Sequence, residues 1–125
     1  MKTILIVDDE ERIRSLYGRL MEKEGYQVFL ANNAELAHEI LLAHSIDLVL
    51  LDINLTDTVD GAVLHDVMEA FFKKTLVLVA SVYPVVEQKK RIKGAAGYYD
   101  KSEGIQGLIG QVRSLLKRPS DAAAA

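Results

Sequence analysis

Four short apolar runs of this chain end at residues that can do chemistry. The runs lead into Asp8 and Asp9, into Asp52, into Ser81 and into a Tyr-Tyr-Asp segment that precedes Lys101. Carboxylates that share one cleft repel each other, and the pKa of one rises unless a cation lies among them. Mg²⁺ resolves such a conflict, because it takes one or two carboxylates, several waters and phosphate oxygens. A hydroxyl and an ammonium group can bind the same anion. The set therefore suits phosphoryl transfer, in which a carboxylate can itself be the acceptor.

The elements that must position these residues follow from two alternating periodicities. Short apolar runs predict strands over 4–7, 26–31, 47–51, 76–80 and 96–99. Helical spacing of apolar residues predicts helices over 13–21, 36–41, 63–72, 84–92 and 105–116. This alternation predicts an α/β domain with a doubly wound parallel sheet and helices on both faces. Ligands of such sheets bind beyond the carboxyl ends of the strands, where the candidate residues lie.

Residues that end or begin a helix mark several boundaries. Gly25 stands where the first helix would stop, and Asn32 or Asn33 can cap the second. Pro84 suits the first turn of the fourth helix, and Pro119 stops the fifth. We therefore expect one domain over 1–118, followed over 119–125 by a disordered tail or a cloning remnant.

Composition excludes several classes of function. A chain of 125 residues with 50% hydrophobic residues fits one globular domain of about 100–150 residues. The absence of cysteine removes disulfides, thiolate metal sites and cysteine nucleophiles. A net charge of −3 argues against nucleic-acid binding by this domain. No apolar run approaches the roughly 20 residues that span a bilayer, and the first run is too short for a signal peptide. We expect a cytoplasmic protein without membrane attachment.

Four motifs carry a family resemblance. They are Ile-Leu-Ile-Val-Asp-Asp-Glu (4–10), Leu-Val-Leu-Leu-Asp (48–52), Val-Leu-Val-Ala-Ser (77–81) and Gly-Ala-Ala-Gly-Tyr-Tyr-Asp-Lys (94–101). Each motif alone is weak, but all four occur in order at strand ends. Over residues 2 to about 117 the chain resembles a response-regulator receiver domain of the CheY-like type. The resemblance implies a five-stranded flavodoxin-like fold with strand order 2-1-3-4-5.

The resemblance also implies roles for the acidic residues. Asp52 would be the phosphoacceptor. Asp9 and Asp52 would ligate Mg²⁺ (or Mn²⁺) directly, together with the main-chain carbonyl of Asn54. Asp8 would act on the metal through water.

The same resemblance implies a phosphorylation-controlled signalling switch of a two-component system. A histidine kinase or a phosphotransfer protein would donate the phosphoryl group, and Ser81 and Lys101 would bind its oxygens. Ser81 and Tyr98 would act as the switch residues. The face made by the fourth helix and fifth strand, including the basic run 89–91, would then control an output domain or a downstream protein. The domain would be a phosphoacceptor that assists its own phosphorylation, not an enzyme with turnover.

Three positions depart from the family pattern. Ser102 and Thr56 stand where the family usually has proline, and the loop from Asp52 to Gly61 is about one residue longer. We expect Ser102 to leave the loop after the fifth strand less constrained. Val82 stands where alanine or glycine is usual, and its branched side chain would restrict entry of the phosphodonor.

Other functions stay open beside the switch. The three departures favour a pseudo-receiver, a binding module that signals without phosphorylation. A third possibility is an enzyme on the same fold, such as a flavin carrier or an aspartyl-phosphate phosphatase, but no glycine-rich phosphate loop follows the first strand. His38, His44 and His65 lack metal-ligand spacing, and we interpret them as surface or cap residues.

Overall fold

The computed structural model describes residues 1–55 and 61–117, in which five parallel strands form one sheet flanked by five helices. Thr56 and the predicted tail at 119–125 lie outside the described residues. The sheet order β2-β1-β3-β4-β5 confirms the predicted fold class and strand order. The elements in chain order are β1 Thr3–Val7, α1 Glu11–Lys23, β2 Gln27–Ala31, α2 Ala34–Ala43, β3 Leu48–Leu51, α3 Gly61–Phe71, β4 Leu76–Ser81, α4 Val85–Arg91, β5 Gly97–Asp100 and α5 Ile105–Leu115.

The sheet core explains why the central strands are continuously apolar. Every residue of β1 and β3 is buried, because helices cover both faces of the sheet. Successive side chains alternate between two hydrophobic clusters. Ile4 and Ile6 pack in a cluster with residues of α1 and α5, whereas Leu5 and Val7 pack in a cluster with residues of α2 and α3. Within residues 1–55 and 61–117, no helix is long and apolar enough to cross a membrane.

The predicted helix boundaries are largely confirmed. Gly25 has φ 96°, a left-handed conformation, and its N–H donates to the carbonyl of Glu22 at 3.0 Å. The Asn33 side chain accepts from the N–H of Leu36 at 2.8 Å and so caps α2. Pro84 lies at the N-cap position of α4.

Two strands end one residue later than predicted. Strand β4 includes Ser81, and β5 runs from Gly97 to Asp100. The reason is that Ser81 pairs with Asp100, and the Lys101 N–H donates to the Ser81 carbonyl at 2.9 Å. The sheet itself therefore sets Ser81 and Lys101 side by side.

One histidine was predicted wrongly. His38 is exposed and His44 is the C-cap of α2, as expected for surface or cap residues. His65 is instead buried, with 4% of its surface exposed. Its Nε2 lies 3.4 Å from a carboxylate oxygen of Glu69, one turn along α3, and this polar partner makes burial of the ring tolerable.

Candidate functional site

The carboxyl ends of β1 and β3 bring three carboxylates together. Val7 pairs with Leu51, so the next residues, Asp8 and Asp52, leave the sheet as neighbours. Asp8, Asp9 and Asp52 each offer an oxygen within 4.8 Å of the other two. Asp8 and Asp52 are 3% and 7% exposed. The sequence prediction that these residues share one cleft is therefore confirmed.

Lys101 supplies the compensating charge. Its Nζ lies 2.7 Å from Oδ2 of Asp8 and 3.3 Å from Oδ2 of Asp52. Its side chain is only 8% exposed, so solvent screens these pairs weakly. The ammonium thus bridges two buried carboxylates.

Burial dominates the electrostatics of Asp52. It raises the pKa of Asp52 to about 6, although the charge of Lys101 opposes this rise. Burial alone would lower the pKa of Lys101, but its hydrogen bond to Asp8 and the nearby carboxylate charges raise it above the usual value. At neutral pH the site therefore holds an ionised Asp52 beside an ammonium group, and an ionised carboxylate is the form that acts as a nucleophile.

The donor chemistry of the pocket fits a hard divalent cation. Octahedral Mg²⁺ binds oxygens at about 2.0–2.1 Å and so places neighbouring ligand oxygens about 3 Å apart and opposite ones about 4 Å apart. Asp8, Asp9 and Asp52 offer three carboxylate oxygens within 4.8 Å of one another, a cluster of the size that such an ion needs. Asn54 lies beside them, since its N–H donates to Oδ1 of Asp52 at 3.4 Å. Mn²⁺ prefers the same ligands.

Ser81 is close to the site but its hydroxyl is engaged within its own turn. The residue is fully buried, and its Oγ accepts from the N–H of Tyr83 at 3.3 Å. The bond from Tyr83 uses a lone pair of Oγ, so the hydroxyl proton can still be donated to an anion. Val82, the next residue, is 68% exposed.

The two tyrosines of β5 face opposite ways. Tyr99 is buried in the core, and Tyr98 is half-buried on the side of α4. The Tyr98 hydroxyl donates to the Ile92 carbonyl at 2.7 Å and accepts from the Ala95 N–H at 3.2 Å. Tyr98 is thus anchored to the segment that joins α4 to β5.

Side-chain hydrogen bonds hold the loop after β5, where Ser102 replaces the usual proline. The N–H and hydroxyl of Ser102 donate to Oδ1 of Asp100 at 2.9 and 2.7 Å. The Tyr99 hydroxyl donates to the Glu103 carbonyl at 2.7 Å. These hydrogen bonds constrain the loop that carries Lys101. The prediction that Ser102 leaves this loop less constrained did not anticipate them.

Sequence reasoning missed three residues around the site. Arg14 donates to the Asp8 carbonyl at 2.8 Å, and the amide of Gln88 donates to carbonyls on both sides of the β4 and β5 ends. Tyr17 lies within the helix predicted over 13–21. Burial, followed by nearby charges that include Asp8 and Asp52, raises the pKa of the Tyr17 hydroxyl well above its usual range. Helical spacing could identify Tyr17 as buried, but no sequence signal placed it near the carboxylates.

Gly61 packs closely against the backbone of Asp52. A Cβ at this position would lie 2.3 Å from the Asp52 carbonyl oxygen and 3.0 Å from Cα of Ile53. Because the crowded atoms are backbone, Gly61→Ala should move Asp52 and lower the free energy of unfolding by about 1–3 kcal/mol. Urea unfolding measures this loss. Gly110→Ala is the matched control, because a Cβ there meets no atom within 4 Å. Equal results for the two variants would contradict this role for Gly61.

The architecture and the pocket together define a class of protein. It is a flavodoxin-like α/β domain with a carboxylate cluster and a buried lysine at the carboxyl edge of the sheet. A profile of the response regulator receiver domain family matches residues 4–113. The chain belongs to this family, and the resemblance of its four motifs is confirmed. It is a receiver domain of two-component signalling, a phosphoacceptor domain rather than an enzyme with turnover.

Individual relatives agree with this assignment. The chain is 32% identical over 120 residues to sporulation initiation phosphotransferase F of Bacillus subtilis and covers 96% of it. It is 30% identical to the transcriptional regulatory protein CpxR of Escherichia coli, but spans only 50% of that protein's length. The crystal structure of the response regulator TrrA from Thermotoga maritima, in complex with Mg²⁺ and BeF, superposes with a TM-score of 0.84. That match has 30% identity and covers 93% of this chain and all of TrrA.

Proposed function

We propose that Asp52 accepts a phosphoryl group and that Lys101 and Ser81 bind it. The observation that carries this proposal is the position of Lys101, whose Nζ bridges Asp8 and Asp52 at 2.7 and 3.3 Å. The ammonium group of Lys101 already pairs with the carboxylate of Asp52. It can therefore pair with a phosphoryl oxygen once that group is attached to Asp52. The pocket holds no other lysine or arginine side chain within ion-pair distance of Asp52 among the described residues.

The transfer step follows from these groups. An oxygen of Asp52 attacks phosphorus while the bond from phosphorus to the donor breaks; its electron pair leaves with the donor group. For a phosphohistidine donor, imidazole leaves. Asp9, Asp52 and the carbonyl of Asn54 would hold Mg²⁺ directly and Asp8 would hold it through water, and the ion would supply positive charge for the phosphoryl oxygens.

The response would reach the surface through α4 and β5. The Ser81 hydroxyl would donate its proton to a phosphoryl oxygen, and Tyr98 would respond because it is tied to the α4–β5 segment. Phosphorylation would act here as a local charge change that biases a two-state element. The exposed basic residues 89–91 lie on that face.

The proposed partners and cellular location of the domain are inferred from its membership of the receiver family. A histidine kinase or a phosphotransfer protein would donate the phosphoryl group, which accords with the name of the sporulation relative. The output would be a further domain or a separate protein, and we place the receiver domain at 1–118 in the cytoplasm. The chain spans about half of the transcriptional regulators that it matches, so their output is not transferred to it.

A pseudo-receiver remains the second candidate. It is favoured by Val82, an exposed branched residue directly after Ser81. In that case Mg²⁺ and a phosphate mimic would leave the domain unperturbed.

Intact-mass measurement with acetyl phosphate and Mg²⁺ tests the proposal. The parent chain should gain one phosphoryl group, with acetate as the leaving group. Asp52→Asn should gain none, because an amide oxygen is a poor nucleophile and the replacement keeps the shape. Asp66→Asn, an exposed acid on α3, is the matched control and should label like the parent. Labelling of Asp52→Asn would overturn the acceptor assignment, and no labelling of a folded parent would favour the pseudo-receiver.

A further inference from the structure

A fully buried glutamine joins the two elements that carry the phosphoryl-binding residues. Gln88 lies on α4 with 0% of its surface exposed. Its Nε2 donates to the carbonyl of Tyr83 at 2.8 Å and to the carbonyl of Tyr99 at 2.9 Å. A third carbonyl, that of Ser81, lies at 3.5 Å. We call this arrangement the Gln88 clamp.

The clamp spans the two backbone segments from which Ser81 and Lys101 project. Tyr83 follows Ser81 by two residues, and Tyr99 precedes Lys101 by two residues. Because one amide group holds both carbonyls, a movement of either segment away from the other must stretch or break one of these bonds. The same Tyr83 residue donates its N–H to the Ser81 hydroxyl at 3.3 Å. The clamp therefore fixes the turn in which that hydroxyl is engaged.

The side-chain carbonyl oxygen of Gln88 bears on the role of this residue. Its Oε1 is buried and has no hydrogen-bond partner among the described residues. An unmet buried acceptor is unfavourable, and a methionine of similar length would fill the space without it. Packing alone therefore does not account for glutamine here, whereas its two donated bonds to the β4–α4 connection and β5 do.

We propose that Gln88 is a positioning residue that holds the β4–α4 connection in the resting arrangement. Loss of the clamp lets the segment that carries Ser81 shift relative to β5, so a larger fraction of molecules can place the Ser81 hydroxyl on a phosphoryl group without first breaking the bonds of Gln88. The apparent affinity for such a group rises in proportion to that fraction. This inference rests on the proposed function, since it concerns the groups that would bind the phosphoryl oxygens.

The test compares Gln88→Met with Gln111→Met. Gln111 is the matched control, because its amide also donates to a β5 carbonyl, that of Tyr98 at 3.2 Å, but from α5 and without contact to the Ser81 turn. The probe is beryllofluoride with Mg²⁺, titrated calorimetrically into each folded chain, and thermal unfolding is recorded in parallel.

We expect Gln88→Met to melt at a lower temperature yet bind beryllofluoride about three- to tenfold more tightly than the parent, the change that one to two lost hydrogen bonds support. Gln111→Met should lose stability without a gain in affinity. Unchanged or weaker binding by Gln88→Met, or an equal gain in Gln111→Met, would overturn the inference while the proposed function stands. Absence of binding by the parent would instead overturn the proposed function and this inference with it. Should Gln88→Met fail to fold, Gln88→Asn, whose shorter amide withdraws from the carbonyls, carries the same prediction.

Discussion

Lys101→Met should lower the free energy of unfolding of the metal-free chain by about 3–5 kcal/mol at pH 8. The reason is that Nζ of Lys101 lies 2.7 Å from Asp8 and 3.3 Å from Asp52, and all three side chains are at most 8% exposed. Methionine keeps the length of the side chain but removes its charge, and two buried carboxylates then lack a cation. Urea unfolding monitored by circular dichroism measures the loss.

Lys2→Met is the matched control for this substitution. Lys2 also pairs with an aspartate, Asp47 at 4.0 Å, but both side chains are about 40% exposed, so this pair should contribute about 0–1 kcal/mol. Mg²⁺ should stabilise Lys101→Met more than the parent, because its carboxylates have no competing ammonium. If the two lysine variants lose equal stability, the buried pairs of Lys101 do not hold the site together.

The position of the carboxylate cluster was predictable because a parallel sheet has one carboxyl edge. Once the apolar runs were assigned to strands, Asp8, Asp52 and Lys101 had to meet at that edge, whatever their detailed side-chain geometry. The helix boundaries at Gly25 and Asn33 were predictable for a similar reason, since local backbone chemistry decides them.

The contacts of side chains depend on neighbours that are distant in sequence, and these were not predictable. Gln88 lies among polar and basic residues of α4, and nothing in that pattern distinguishes it from its exposed neighbours. The orientation of the Ser81 hydroxyl depends on the turn that follows β4. His65 became buried because Glu69 provides a polar partner within the same helix, which spacing permits but does not require.

Asp52, the proposed acceptor, should reduce the stability of the metal-free domain. Burial raises the pKa of Asp52 from 3.8 to about 6, so the folded state binds a proton more tightly than the unfolded state. Well below pH 3.8 both states are protonated and Asp52 has no such cost. Between about pH 4 and 6 the unfolded state is ionised while folded Asp52 keeps its proton, so stability falls as pH rises, and the loss is complete once folded Asp52 ionises above about pH 6. Asp52→Asn avoids this ionisation and should raise the free energy of unfolding by about 1–3 kcal/mol at pH 8, with the gain shrinking as pH falls towards about 4.

Urea unfolding of parent and Asp52→Asn from pH 4 to pH 8 checks this prediction, with exposed Asp66→Asn as the control that should show no comparable gain.

Mg²⁺ should make the parent more stable than Asp52→Asn, which reverses the order of their free energies of unfolding at pH 8. Ligand binding to the folded state stabilises by about 2.7 kcal/mol at a concentration 100 times the Kd, and the variant has lost one of three carboxylates. A pH-independent gain would mean that Asp52 is not held in a destabilised ionised form. A crossing of the two stabilities on addition of Mg²⁺ would mean that the carboxylate which weakens the fold is also the one that binds the cation, because the buried negative charge that is costly without metal is the charge that attracts Mg²⁺.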